Sequence, residues 1–224
     1  MSSPGGFRYI EIMGLCAAFT MLVVTLARLV PSLDDESGLA IAGVVGGGYL
    51  AADFMTGVVH WLGDTVGSSE WPIVGQTFIR SFRHHHVDAK DIVRHDFVEL
   101  NGANSIASLP LMIVAALLAT VAPLASAFLV SMLVFAMGTN QIHQWAHNSS
   151  PPRFVRALQR ARIILSPEHH EQHHTAPYDR AYCITTGWMN PILDKLMVFR
   201  GAEWLIERIH PRLVSVETAQ RRAR

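Results

Sequence analysis

The sequence is poor in cysteine and in charge. Its 224 residues include only Cys16 and Cys183, which have neither the spacing of a zinc finger nor the number that a disulfide framework needs. Charged residues make up 16% of the chain, and 18 basic residues balance 18 acidic ones, so the formal net charge is zero. No basic tract is interleaved with aromatic residues. The composition therefore gives no indication of nucleic-acid binding.

The chain is instead rich in apolar residues, which form 50% of it. Mean hydropathy is +0.25, higher than is typical of a soluble domain of this length. A helix needs about 20 residues to cross the bilayer core. Four runs approach or exceed that length, at residues 10–30, 39–61, 106–123 and 124–145. They predict an all-α integral membrane protein with four transmembrane helices, residues 1–200 forming a single embedded domain and residues 201–224 a short tail.

The charged loops predict the orientation of these helices. The loop at residues 31–38 is acidic and lacks Lys and Arg, whereas residues 80–94 and 153–162 carry four basic residues each. The positive-inside rule places the two basic segments and both termini in the cytoplasm. No organelle-sorting signal is recognisable, which favours a bacterial cytoplasmic membrane. Residues 153–165 are typical of an interfacial helix, whose arginines would contact lipid phosphates, dock an acidic redox protein or simply follow the positive-inside rule.

A dense group of histidines follows the last apolar run. His169, His170, His173 and His174 lie within six positions. Ser166 suits an N-cap and Pro167 the first helical position, so a short helix is predicted here. On a helix these four imidazoles would cover an arc of roughly 140°, which allows them to converge on metal.

Other donor residues are predicted on the cytoplasmic side of the membrane, together with the histidines that follow the last apolar run. With interfacial helices they would form a histidine-rich cap. His60 and Asp64, like His143 and His147, are spaced i,i+4 and so share one helical face. Including the loop histidines, eleven of the 12 histidines are expected there, and isolated His210 is read as a surface residue. The remaining members of this set are His84, His85, His86 and His95.

Four polar residues are candidates for orienting the ligands. Asp53 lies inside an apolar run on the same face as His60, where an unpaired carboxylate is costly. It would either hydrogen-bond a ligand or bond to another helix. Asn140 is a candidate for a weak ligand or an interhelical bond, and Asp96 and Glu99 are candidates for orienting ligands or capping a helix.

So many imidazoles exceed the needs of one tetrahedral zinc, so two metal ions are predicted. Imidazole suits iron, copper, zinc and nickel alike. A nitrogen-rich dinuclear site at a membrane surface favours O2 chemistry on lipid, and we expect iron. A metal carrier or sensor without catalysis is the alternative from another class, although transporters usually place their polar ligands near the bilayer midplane.

Several short segments together resemble the plasmanylethanolamine desaturase family, also called Kua-type lipid desaturases. The resemblance runs from about His60 to Phe199 and rests on His60-Trp61, residues 78–86, 94–99, 140–143, 169–174 and 182–188. It implies a four-helix membrane fold and conversion of a plasmanyl alkyl ether to a plasmenyl vinyl ether. Two irons, O2 and an electron donor such as a cytochrome or ferredoxin are also implied.

The predicted metal ligands are His60, Asp64, His85, His86, His143, His147, His170, His173 and His174. His95 and His169 are expected either to bind a metal directly or to contact one of its ligands. Asp64, His170, His173 and His174 are also expected to be catalytic. The chain has His84 where the family usually has Glu and Tyr178 where it usually has His. These departures make an acyl-lipid desaturase acting on a phospholipid such as phosphatidylglycerol an alternative. A membrane lipid hydroxylase is another, because the same oxidant can transfer oxygen to the lipid.

Overall fold

The structure, a computed structural model, describes residues 5–214, and the side chains from Phe7 onward. Ten α-helices form this part of the chain, and no strand occurs within it. Short π and 3-10 turns lie at Gly75–Ile79, Asp91–Arg94 and Pro211–Leu213. The helices are α1 (Gly5–Ser32), α2 (Gly38–Thr65), α3 (Arg80–Val87), α4 (Phe97–Leu118), α5 (Pro123–Met137), α6 (Thr139–His147), α7 (Arg153–Arg160), α8 (Pro167–His170), α9 (Asn190–Lys195) and α10 (Val198–Ile209).

The prediction of an all-α protein with four membrane-spanning helices is confirmed. Four helical stretches are long and apolar enough to cross a bilayer: Phe7–Ser32, Gly38–Thr65, Phe97–Leu118 and Pro123–His147. The third begins nine residues before the predicted apolar run, because Asp96 and Glu99 form a capping box at its start. The fourth contains α5 and α6, which meet at Gly138.

The contacts divide the chain into two compact units, the first made of residues 1–53 and 95–142. Leu29, Ala115 and Val130 belong to its buried apolar cluster. Gly48 lies so close to α5 that a Cβ would be 2.5 Å from the Phe128 carbonyl oxygen. Ser131 Oγ donates to the Val45 carbonyl at 2.7 Å. Of the glycine run of α2, Gly48 therefore serves close helix packing, as small residues do between membrane helices.

The second unit comprises residues 54–94 and 143–224. Its apolar cluster includes Trp61, Tyr182 and Phe199. At Gly57, a Cβ would lie 2.5 Å from Cys183 Sγ, so the absence of a side chain lets residues 181–186 pack against the end of α2. Helix α10 spans residues 200 and 201, between which the predicted boundary of the tail falls, and residues 215–224 of that tail lie outside the described part.

Candidate metal centre

Two groups of donor side chains converge within the second unit. The donor atoms of each group all lie within 4.8 Å of one another. The five-histidine group takes its members from α3, α6, α8 and the turn after α8: His85, His143, His147, His170 and His174. The histidine–aspartate group takes its members from α2, α3 and that same turn: His60, Asp64, His86 and His173.

The two groups adjoin each other. The ring centroids of His86 and His174 are 5.2 Å apart, and those of His173 and His174 are 5.6 Å apart. Consecutive residues supply both groups, because His85 and His86 point about 100° apart around α3. This arrangement suits two neighbouring metal ions rather than one.

The five-histidine group is centred on His170. Its Nε2 lies 2.8 Å from Nε2 of His143, 2.8 Å from that of His147 and 3.0 Å from that of His174. One imidazole nitrogen has a single proton or a single lone pair, so it cannot make three such hydrogen bonds at once. Nitrogens about 2.1 Å from a shared metal and at right angles would be about 3.0 Å apart. The group therefore fits a metal ion.

In the histidine–aspartate group the donor atoms surround one carboxylate oxygen. Oδ2 of Asp64 lies 3.0 Å from Nε2 of His86, 3.2 Å from that of His173 and 3.6 Å from that of His60. Both His60 Nε2 and Asp64 Oδ1 are buried without a hydrogen-bond partner among the described residues. Buried polar atoms in this state are costly unless something else binds them, and a cation fits.

Backbone carbonyls fix two rings of the histidine–aspartate group. His60 Nδ1 donates to the Tyr182 carbonyl at 3.1 Å, and His173 Nδ1 donates to the Arg180 carbonyl at 2.8 Å. With Nδ1 protonated, the Nε2 lone pair of each ring is available to a metal. The orientation of these two rings therefore depends on the backbone of residues 180–182.

Residues 178–183 have a special backbone conformation. Tyr178 and Ala181 adopt φ of 61° and 58°, in the left-handed region that favours glycine. Helix α9 holds the segment: the Asp194 carboxylate accepts from Ala181 N at 3.3 Å, and Asn190 accepts from Cys183 N at 2.8 Å. Strain of this kind persists only where surrounding contacts enforce it. Here it aims two carbonyls at ligand rings.

Burial favours the neutral form of three imidazoles of the five-histidine group. Loss of hydration lowers the pKa of His85 and of His170 well below the usual range, and neighbouring imidazoles lower it further. The same causes lower the pKa of His174 to about 2. Neutral imidazole is the form that binds metal, so these three rings need no deprotonation at neutral pH.

The structure does not bring every predicted histidine into these groups. His84 is exposed on α3, with Nδ1 4.0 Å from Asp91. His169 Nε2 accepts from Asn190 Nδ2 at 3.0 Å. His95 Nδ1 donates to Glu99 at 3.0 Å within the first unit. His95 and His169 belong to neither donor group, and their expected contribution as direct or indirect members of the site stays a prediction.

The predicted fan of four imidazoles on one helix was wrong. Ser166 does cap α8, its Oγ accepting from His169 N at 3.2 Å, and Pro167 is the first helical residue. However, α8 ends at His170 and continues as a turn. The turn directs His174 to the five-histidine group and His173 to the histidine–aspartate group.

The four residues expected to orient ligands lie in the first unit. Asp96 accepts from the amides of Val98 and Glu99 as the cap of α4 and forms an ion pair with Arg8 at 2.7 Å. Asn140 Nδ2 donates to the Leu100 carbonyl at 2.8 Å, so it serves as an interhelical bond. Asp53 is fully buried in α2.

Sequence reasoning missed the residues that hold the ligands. Asn190 and Asp194 accept hydrogen bonds from the backbone amides of Cys183 and Ala181. The carbonyls of Arg180 and Tyr182 accept hydrogen bonds from the rings of His173 and His60. A carbonyl oxygen is present at every residue, so it leaves no sequence signal. The only local indication was Asn190-Pro191, which marks a chain reversal or helix start.

The fold and the two groups define a protein with four helices that could span a membrane and two adjoining histidine-rich groups that could bind metal. Residues 49–212 match the model of the lipid desaturase domain. The chain belongs to that family. No solved structure is a significant match.

The named relatives of this chain are desaturases, which is consistent with membership of this family. The chain is 46% identical to plasmanylethanolamine desaturase of Myxococcus xanthus over 89% of its own length and 72% of the relative's. It is 39% identical to plasmanylethanolamine desaturase 1 of Mus musculus over 98% and 85% of the two lengths. Identity to fatty acid desaturase 4, chloroplastic, of Arabidopsis thaliana is 35%, over 84% of this chain and 59% of the relative.

Proposed function

We propose that this protein desaturates the alkyl ether chain of plasmanylethanolamine, giving the vinyl ether of plasmenylethanolamine. The observation that carries the proposal is the pair of adjoining donor groups, His85, His143, His147, His170 and His174 beside His60, Asp64, His86 and His173. The two relatives named for this reaction, which this chain matches over most of its length, support the choice of lipid.

We further propose that the metals are two iron ions. When bound, they would supply the redox chemistry by which O2 is reduced to two waters, with two electrons and two protons from the lipid, two electrons from a donor and two protons from solvent. The eight imidazoles are neutral ligands, and Asp64 adds the single negative charge. A redox protein such as a cytochrome or ferredoxin would be the donor.

The chain's own residues position the reaction. The carbonyls of Arg180 and Tyr182 hold the His173 and His60 rings with Nε2 toward the centre. Burial of His170 and His173 removes water from the site, which protects a reactive centre from side reactions. The lipid would enter from the bilayer, with the site and both termini at the cytoplasmic face of a bacterial cytoplasmic membrane.

Lipid mass spectrometry tests this function directly. The chain is expressed in cells that contain plasmanylethanolamine, and acid treatment separates vinyl ethers from isomeric alkyl lipids. We expect acid-labile plasmenyl species with the unaltered chain and none with His173→Ala. His84→Ala, an exposed histidine outside both groups, is the matched control and should retain activity.

The same measurement separates the second candidate. The Arabidopsis relative is named as a fatty acid desaturase, which favours an acyl chain as the alternative substrate. Unchanged ether lipids together with a new acyl double bond would replace the proposed function by acyl-lipid desaturation, and a new hydroxyl group would indicate a hydroxylase.

A further inference from the structure

A large cavity lies beside the five-histidine group in the second unit. Its volume is about 1100 Å³. Its lining residues include Ala146 and His147, the last residues of the fourth candidate span, and Trp188. The cavity therefore lies where a candidate membrane-spanning helix ends, which is the depth of lipid headgroups.

Three arginines are among the residues that line this cavity: Arg156, Arg160 and Arg162. Arg156 donates to the Pro151 carbonyl at 3.4 Å. None of the three forms an ion pair with a carboxylate of the described residues, in contrast to Arg8 and Arg94 elsewhere in the chain. Guanidinium groups bind phosphate through two parallel hydrogen bonds. The lining thus offers an anion site next to a metal ligand.

One carboxylate, that of Glu168, also lines the cavity. Glu168 is exposed, and among the described residues it has no ion pair with Lys or Arg. The cavity therefore presents positive groups together with one negative group. A zwitterion with a phosphate and a primary ammonium would complement both.

The geometry points to this cavity as the binding site for the phosphoethanolamine headgroup of the substrate, with Arg160 and Arg162 on the phosphate and Glu168 on the ammonium group. The assignment rests on the proposed function and deepens it. In an alkyl ether phospholipid the reacting carbons are separated from the phosphate only by the glycerol backbone and the ether oxygen. A headgroup held beside His147 would keep those carbons close to the metal ligands.

An acidic redox protein would also be attracted to arginines, but a headgroup fits the lining better. A protein docking along α7 would contact its exposed residues as one surface, including Arg153. Arg153 does not line the cavity, whereas Arg162, beyond the end of α7, does. A concave site lined by three arginines and one glutamate suits a small ligand rather than a protein surface.

The test compares two arginines of the same helix. Arg160→Gln and the control Arg153→Gln remove the same charge from α7, so both weaken general attraction to an anionic surface equally. The proteins are placed in phosphatidylcholine nanodiscs, and KM and kcat are measured for plasmanylethanolamine. We expect Arg160→Gln to raise KM roughly 5-fold at unchanged kcat and metal content, corresponding to about 1 kcal/mol for one cation at a phosphate. Arg153→Gln should leave KM unchanged.

Arg162→Gln and Glu168→Gln provide second variants. We expect Arg162→Gln to raise KM as Arg160→Gln does. Glu168→Gln should raise KM more for the ethanolamine lipid than for its choline counterpart, because both ammonium groups lose a charge partner but only the primary ammonium also loses a charge-assisted N–H hydrogen bond. Equal KM values for Arg160→Gln and Arg153→Gln would overturn the assignment. A rise in KM for the electron donor instead of the lipid would also overturn it, in favour of protein docking.

Native mass spectrometry of the detergent-solubilised chain supplies a readout without turnover. Unaltered protein and Arg153→Gln should retain added plasmanylethanolamine, and Arg160→Gln should lose most of it. Retention of this pattern without any vinyl ether product would support the cavity while refuting the proposed function. Vinyl ether formation with equal retention by both variants would refute the cavity alone.

Discussion

The two donor groups differ in charge and in how they are held. The five-histidine group contains only imidazoles, and the nitrogens of four of them lie around one point near His170. The histidine–aspartate group has one carboxylate, and backbone carbonyls fix His60 and His173. Asp64 would give a metal in its group a charged ligand, whereas a metal in the five-histidine group would have neutral ligands alone. As proposed metal sites the two groups are therefore not equivalent, although adjacent residues of one helix supply both.

The difference also extends to the surrounding structure. Residues 178–183 and α9 stabilise the histidine–aspartate group, and the Gly57 contact with Cys183 brings that segment against α2. In the five-histidine group, His143 and His147 come from successive turns of α6, so their spacing is set by the helix itself. One group depends on a strained loop, and the other depends largely on regular helical geometry.

The largest expected effects come from removing one ring from each group. We expect His170→Ala and His173→Ala each to lower activity by more than about 100-fold, because each ring is central to one metal site. Iron per chain, measured by atomic emission after iron loading, should fall for both variants. His84→Ala should match the unaltered protein in both measurements. Full activity in either alanine variant would contradict the assignment of that group.

Asp64→Asn tests the difference in charge. The substitution keeps the side-chain volume but removes the only carboxylate of the two groups, so the metal beside it loses its charged ligand. We expect activity to fall by about 100-fold and iron content to fall toward one ion per chain. Retention of both irons with full activity would show that the carboxylate does not distinguish the groups.

Asn190→Ala tests the dependence on the strained segment. The change leaves the Cys183 amide and carbonyl without their side-chain partner, which should cost about 1–3 kcal/mol of local stability. The Tyr182 carbonyl would then hold His60 less firmly. We expect iron affinity to fall roughly 10-fold, and only at the histidine–aspartate group. Iron titration measures this effect by introducing Asn190→Ala once into the unaltered protein and once into Asp64→Asn. The loss should disappear in the Asp64→Asn background.

The smallest effect is expected for His95→Ala. His95 bonds to Glu99 at the start of α4 and belongs to neither donor group. Its removal should change activity by less than about 2-fold and leave iron content unaltered, since a partly exposed ion pair contributes about 0–1 kcal/mol. A large loss of iron in His95→Ala would restore this histidine to the ligand set.

Regular spacing explains why much of the site was predictable. The i,i+4 pairs His60–Asp64 and His143–His147 do share a helical face, and each pair falls in one group. The four spanning helices followed from the lengths of apolar runs. The early start of α4 could have been predicted from Asp96 and Glu99, since a capping box is a local signal.

The division of the histidines between the two donor groups was not predictable from their spacing in the sequence. His85 and His86 are adjacent, yet they serve different groups, and His173 and His174 divide in the same way. Their assignment depends on where α8 ends and on which elements face α3. His169 lies in the densest histidine segment but bonds to Asn190, a residue 21 positions later in the chain.

By itself, the sequence determined the membrane-spanning helices and the supply of imidazoles, because hydrophobic length and helical periodicity act over a few turns. Tertiary structure alone decided which imidazoles share a donor group, which carbonyls orient them and which arginines line the cavity. These relations join residues far apart in the chain. They depend on backbone direction and close approach, as at Ala181 and Gly57, which residue identity does not encode locally.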